Sequence, residues 1–374
     1  MTPQRDVIVL TTAYDPFIGG AELAAREVMR RIPDVQFTVL TARFRRNLPA
    51  YELQGNIVIY RLGIGSAVDK YLLPVLAYRT GKRLLRPSTA VWCVMVSYAS
   101  IAGYYLKRTR PDLRLILTLQ EGDVIEGRKF GLVPLWWKRL LSVANEVHAI
   151  SNYLADLARH FGYQKEIHII PNGVDVELFA RRDETRIAKI QERYALSRFP
   201  FVLISVSRLV EKNGLADVIR ALPGMPDVGF MMVGEGPLRA SLITLSKSLG
   251  VSDRVIFVGS VPLEEVPPYL HASDAFIRLS KSEGLGTAFL EAMAAGLPII
   301  ATRVGGIPDF LKDGDTGISV MPDDTAAVIR AVSTIRQKEQ GKQFIANSML
   351  LVRDRYAWDS IAQKISAVLQ ASHI

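Results

Sequence analysis

Two carboxylates, Glu283 and Glu291, have seven residues between them in the stretch SEGLGTAFLEAMAAGLPIIATRVGG, Ser282 to Gly306. An apolar run, Ala275 to Leu279, leads into a turn with Gly284 and Gly286, after which Ala288, Glu291, Ala292 and Ala295 follow at helical spacing. A helix that opens directly after a strand turns unpaired N–H groups and the positive end of its dipole outward, and glycines let an anion come close. Leu285, Gly286 and Thr287 therefore read as a phosphate cradle, with ligand hydroxyls donating to the two carboxylates. A solvated acid followed by an acid near a helix start would show the same spacing. Arg208 and Lys212 come just after the run Phe201 to Val206. Two cations there suit a diphosphate, held in the ground state and neutralised as it departs; as mere surface charges they would oppose the dipole of a helix start. Gly19 and Gly20 lie between the run Asp6 to Thr12 and a helical pattern from Ala21. They could admit a ligand to the backbone, or serve only the turn.

These residues need a scaffold that delivers strand ends to one place. Strand-like runs at Gln36 to Thr41, Ile57 to Arg61, Val91 to Val96, Arg114 to Leu119, Glu146 to Ile150 and Ile167 to Ile170 are separated mostly by helix-length segments. The alternation resumes at Phe201 to Val206, Gly229 to Val233, Arg254 to Val258, Ala275 to Leu279, Leu297 to Ala301 and Ile318 to Met321. Such alternation predicts α/β architecture with doubly wound, mostly parallel sheets, whose ligands bind beyond the carboxyl ends of the strands. Gln120, Glu121, Gly122 and Asp123 lie past one such end, and Ser260 and Val261 past another. Ser151 reads as the N-cap of the helix that follows it. Pro171-Asn172-Gly173 is strong turn chemistry that ends the first half.

The Glu283 and Glu291 spacing, followed by Ala-Met-Ala-Ala-Gly-Leu-Pro, resembles the signature of the retaining glycosyltransferases of family 4, the group 1 glycosyl transferases. Other motifs stand in that family's order: Gly19-Gly20-Ala21-Glu22, Ser151-Asn152, Pro171-Asn172-Gly173-Val174-Asp175, Ser207-Arg208-Leu209-Val210-Glu211-Lys212, Val233-Gly234-Glu235-Gly236-Pro237 and Val304-Gly305-Gly306-Ile307-Pro308. The resemblance covers most of the chain and is strongest after residue 146. It implies the GT-B fold, two Rossmann-like doubly wound domains facing a cleft. Residues 1–173 would form an acceptor-binding domain, 174–200 a linker, 201–355 the nucleotide-sugar domain, and 356–374 a helix crossing back to the first domain.

The resemblance also implies transfer of a sugar from a UDP- or GDP-linked donor to an acceptor hydroxyl with retention, with no metal or other cofactor. By that resemblance Glu291 holds the donor ribose, Glu283 the donor sugar, and Arg208 and Lys212 the diphosphate. Leu285, Gly286 and Thr287 supply backbone N–H groups, Gly19 and Gly20 approach the diphosphate or acceptor, Ser260 and Val261 touch the base, and Gln120 sits by the reacting sugar. Two positions depart from the pattern. Many relatives carry histidine where this chain has Gln120, and glutamine cannot exchange a proton; Glu121, Asp123 or the leaving phosphate would then take that part. Lys212 is one place early, Asn213 standing before Gly214. An epimerase or hydrolase of the same fold, or a non-catalytic nucleotide-sugar-binding protein, are the alternatives.

At 374 residues, 49% hydrophobic and 22% charged, the chain is an ordinary globular sequence of two-domain length. The lone Cys93 cannot form an intrachain disulfide. No apolar run reaches the roughly 18 residues of a spanning helix, and the N-terminal run is shorter than a signal-peptide core; a cytoplasmic protein is expected. The net charge of +9 is uneven, with 23 Lys+Arg against 16 Asp+Glu in residues 1–180 and 23 against 21 in the rest. Clusters at Arg43 to Arg46, Lys82 to Arg86, Lys107 to Arg110 and Trp136 to Arg139 could meet anionic lipid on the inner membrane face, a lipid-linked or other phosphate-bearing acceptor, or only solvent. No nucleic-acid module accompanies the charge, and no Walker loop, Gly-x-Ser-x-Gly or Cys/His cluster is present.

Overall fold

The structure, a computed structural model, describes residues 5–17, 19–120 and 133–370, so Glu121 and Asp123 lie outside the described residues. Fourteen strands are defined among them. Arg5–Leu10 (β1), Val35–Ala42 (β2), Tyr51–Gln54 (β3), Ile57–Leu62 (β4), Ala90–Val94 (β5), Arg114–Leu119 (β6), Glu146–Ala149 (β7) and Ile167–Ile169 (β8) form one sheet. Phe201–Val206 (β9), Val228–Val233 (β10), Val255–Gly259 (β11), Ala275–Arg278 (β12), Ile299–Thr302 (β13) and Ile318–Val320 (β14) form the other. Runs such as AVWCV in β5 are apolar without alternation and buried at every residue, as parallel strands covered on both faces must be.

The chain divides into two compact units, residues 1–173 with 358–374 and residues 174–357. In the first the strand order is β3-β4-β2-β1-β5-β6-β7-β8, parallel throughout except for the β3–β4 hairpin. In the second it is β11-β10-β9-β12-β13-β14, all parallel. Both are doubly wound, the class that the alternation predicts. Strand order reverses between β1 and β5 in one sheet and between β9 and β12 in the other. At such a reversal the connections leave in opposite directions and open a crevice above the strand ends.

Helix Gly20–Arg30 buries Ala21, Ala24, Ala25, Val28 and Met29, a stripe at helical period, in one cluster with Val7, Phe37 and Trp92. Helix Trp358–Gln370 completes that cluster with Ile361, Ala362, Ile365, Val368 and Leu369. A Cβ at Gly173 would lie 2.6 Å from Trp358 Cδ2, so the indole packs directly on that backbone. Cys93 is buried in the same unit, which pushes its thiol well above the ordinary range.

The segment 174–200, expected as a linker, is folded into the second unit instead. Asp175 and Asp183 cap helices Val176–Ala180 and Glu184–Arg193, and Phe179, Ile187 and Ile190 are buried. Its polar composition reflects the exposed faces of short amphipathic helices. β3 is absent from the strands read in the sequence, since four residues on an exposed edge carry little periodicity.

Because Ile361 is fully buried in the first turns of the closing helix, Ile361→Ala is expected to destabilise the protein by about 3 kcal/mol. Denaturant unfolding of the pure variant measures this.

Candidate functional site

In the second unit Arg208, Lys212, Lys281 and Glu283 stand beyond the carboxyl ends of β9 and β12, the two strands flanking its reversal of order. After β9 the chain enters a turn bearing Arg208, which is exposed. Asn213, the departure noted above, is buried, and its Nδ2 donates to the Arg208 carbonyl at 2.6 Å. It fixes the turn that carries Arg208 rather than offering a charge. Lys212 is half-buried, and its carbonyl accepts from the Lys281 N–H at 2.7 Å. Lys281 Nζ in turn pairs with Glu211 Oε1 at 3.2 Å, so the loops after β9 and β12 are tied to each other.

Glu283 follows β12. Its carbonyl accepts from the Gly306 N–H at 3.1 Å, and a Cβ at Gly305 would lie 1.8 Å from that same oxygen. Gly305 also has φ +54, so only glycine lets the turn after β13 close on Glu283. Glu283 Oε2 accepts from Arg278 Nη2 at 2.6 Å. Leu285 and Gly286 are buried, Gly286 is the N-cap of helix Thr287–Ala294, and Thr287 is half-exposed at its first position. Glu291 projects from the second turn of this helix and is 9% exposed. It accepts no side-chain hydrogen bond among the described residues, and burial pushes its carboxyl up to about 7, the Arg278 guanidinium opposing the shift. A carboxyl desolvated in this way gains from any hydroxyl that donates to it.

Ser260 is exposed and Val261 half-buried after β11, on the far side of β10 from β9. They share the sheet's carboxyl edge but not the Arg208 and Glu283 cluster. Gly19, Gly20 and Gln120 belong to the first unit. The Gly19 N–H donates to Glu22 Oε2 at 3.0 Å, so the donor expected to meet an anion is engaged by a carboxylate of its own helix. Gly20 is exposed with open space where a Cβ would stand. Gln120 Oε1 accepts from Asn172 Nδ2 at 3.0 Å.

Beneath that pair runs a buried polar chain that local sequence could not reveal. Trp92 Nε1 donates to Thr118 Oγ1 at 2.8 Å, Thr118 Oγ1 lies 3.1 Å from His148 Nδ1, and His148 Nε2 lies 2.5 Å from the Ile170 carbonyl. Burial lowers the His148 pKa to about 4, so the ring is neutral at pH 7, donating from Nε2 and accepting at Nδ1. Thr118 and Ile170 each stand two residues before Gln120 and Asn172. Arg278 is the other residue sequence reasoning missed; within AFIRLS a single arginine reads as an outward-facing alternation.

Residues 18–178 match the family model described as Glycosyltransferase Family 4, and residues 187–349 the model described as Glycosyl transferases group 1. The chain is 35% identical over 257 residues to the GDP-mannose-dependent alpha-(1-6)-phosphatidylinositol monomannoside mannosyltransferase of Mycolicibacterium smegmatis, covering 66% of each chain. It is 29% identical over 225 residues to the N-acetyl-alpha-D-glucosaminyl L-malate synthase of Bacillus anthracis, covering 59% of this chain and 57% of that protein. The matched stretches thus span less than two thirds of these relatives' length. Sucrose-phosphate synthase from Thermosynechococcus elongatus superposes with a TM-score of 0.85 at 21% identity, over 97% of this chain and 98% of that one. Anabaena Alr3699/HepE in complex with UDP and glucose gives 0.80 at 19%, over 98% and 99%. At these identities the two structures show the fold, which is GT-B.

The Glu291 carboxyl has a higher pKa folded than unfolded, so the stability it contributes is present below pH 4.5 and lost as pH rises through about 7. Glu291→Gln removes this loss. Relative to wild type, the variant is expected to gain roughly 3 kcal/mol in unfolding free energy between pH 4.5 and pH 8. Parallel urea titrations at the two pH values measure the difference; an equal offset at both would show a carboxyl that is not desolvated.

Proposed function

Because the chain belongs to glycosyltransferase family 4, whose model and the group 1 model match it in order, we propose that it transfers a sugar from a nucleoside-diphosphate sugar to an acceptor hydroxyl. The observation that carries this reading is the Glu291 carboxyl, largely buried one turn inside helix Thr287–Ala294 and without a side-chain hydrogen bond among the described residues. Vicinal ribose hydroxyls supply the missing donors. The helix N-terminus and the guanidinium of Arg208, with Lys212 on the same turn, meet the diphosphate, and Glu283 accepts from a hydroxyl of the sugar. As the anomeric carbon–oxygen bond breaks, negative charge grows on the diphosphate, and these fixed groups stabilise it in place. The acceptor oxygen bonds to that carbon with retention, its proton passing to the departing phosphate oxygen. Positive charge at the leaving group comes from side chains, so the reaction proceeds without added divalent metal.

Relatives named for GDP-mannose and neighbours bound to UDP make both nucleotides the first donors to test. Sugars of cell-surface polysaccharides and glycolipids are the acceptor class, in keeping with a relative named as a lipopolysaccharide core glycosyltransferase. An anionic membrane surface fits the first unit. Helix Asp69–Leu84 buries Leu73, Ala77 and Gly81 and exposes Tyr71, Leu72 and Val75 beside Arg79, Lys82 and Arg83. Apolar side chains ringed by cations suit the headgroup boundary. No helix among the described residues is long and apolar enough to cross a membrane.

UDP-, GDP- and ADP-sugars, each assayed with EDTA present, should yield one preferred donor, and Arg208→Ala or Glu283→Ala should lower kcat about 100-fold or more. Retained turnover in either variant would overturn the site assignment, and release of free sugar in place of transfer to an added acceptor would point to a hydrolase. In sedimentation with phosphatidylglycerol vesicles, wild type should co-pellet and the variant carrying Tyr71→Asp and Val75→Asp should stay in the supernatant. Equal behaviour of the two would remove the membrane from the reading.

A further inference from the structure

Arg278 closes β12 with a guanidinium that the donor contacts above do not use. Its side chain is 6% exposed. Nη2 donates to Glu283 Oε2 at 2.6 Å, Nε donates to Ser280 Oγ at 3.2 Å, and Cζ stands 4.4 Å from the ring centroid of Phe289. A Cβ built on Gly286 would come within 3.2 Å of Nη2, so the guanidinium lies against the start of the helix that carries Glu291. One side chain therefore touches the strand, the loop bearing Glu283 and the helix.

A cation at a helix N-terminus is opposed by the dipole, and a buried cation persists only with a paired acid and further contacts. Glu283 provides the acid, Ser280 a second acceptor and Phe289 an aromatic face. The pairing leaves Glu283 Oε1 unclaimed by Arg278. A planar guanidinium anchored at three points sets the direction of the carboxylate it holds, which a freely rotating ammonium does less well.

We infer that Arg278 is a positioning residue for Glu283, holding one carboxylate oxygen so that the other is aimed at the sugar of the donor. The inference rests on the reading of Glu283 as the sugar-holding acid. It acts chiefly on the geometry of Glu283, so its loss should fall on kcat far more than on the donor KM.

The experiment is steady-state kinetics of R278M and R278K, each in the wild-type and the E283Q background. R278M is expected to lower kcat about 100-fold with donor KM within about threefold, and R278K, which keeps the charge but not the three-point anchor, to recover only part of that loss. In the E283Q background R278M should change kcat less than about threefold, because the group it positions has been altered. Equal losses in the two backgrounds, or an unchanged kcat, would overturn the inference. If R278M does not fold by thermal unfolding, R278K in the two backgrounds makes the same comparison. A crystal structure of R278M, or of R278K if R278M does not fold, reads the point without turnover: the Glu283 carboxylate should leave its place, and an unmoved carboxylate sinks the inference. A wild type silent toward every nucleotide sugar would instead sink the functional reading.

Discussion

Glu291 holds a largely desolvated carboxyl that no side chain among the described residues hydrogen-bonds, and its pKa is raised by that burial. An unsatisfied buried polar group costs on the order of 1–3 kcal/mol. The helix that bears it sits among buried Phe276, Phe289 and Phe310, whose rings contact one another at 5.2 and 5.6 Å. The Arg278 guanidinium lies over the Phe289 ring and opposes the rise in the Glu291 pKa. Aromatic packing and one guanidinium thus surround the helix that carries this carboxyl. A ligand with hydroxyls to donate finds the desolvation already done, which is what preorganisation means at this site.

The parallel sheet explains where the rest of the machinery stands. Every β-to-α connection in the second unit leaves from the carboxyl edge, and the reversal between β9 and β12 parts two of those connections. Arg208 rides one and Glu283 the other, and the Lys281 contacts to Lys212 and Glu211 fix their spacing. The first sheet repeats the plan, with Gly19 and Gly20 after β1 and Gln120 after β6, one strand beyond β5. There the Trp92, Thr118 and His148 chain stiffens strand ends that would otherwise be joined only by backbone bonds. A neutral histidine can serve as such a brace because it donates at one nitrogen and accepts at the other.

Much of this was legible in the chain, because it depends on local pattern. Apolar runs bounded by turns gave the two sheets, and the spacing of Glu283 and Glu291 across a glycine turn pointed to one helix start. What escaped were features created by distant pairing. Arg278 lies in an apolar run, and only the return of the Glu283 loop gives it an acid. Asn213 looked like a lost cation, yet its amide closes a turn on the Arg208 carbonyl. Gly19 looked open to an anion, and the Glu22 side chain three residues on already occupies its N–H. Residues 174–200 looked like a polar connection because short helices with one buried stripe have a mostly charged surface.

The helix Trp358–Gln370 supplies the first unit's core with six of its side chains, although an entire second unit is translated before it. On the ribosome, residues 1–173 emerge with the groove for that helix still open and its apolar lining wet. The second unit, contiguous from 174 to 357, has no such dependence. Order of synthesis and order of completion are therefore inverted, and the earlier unit is the later one to become chaperone-independent.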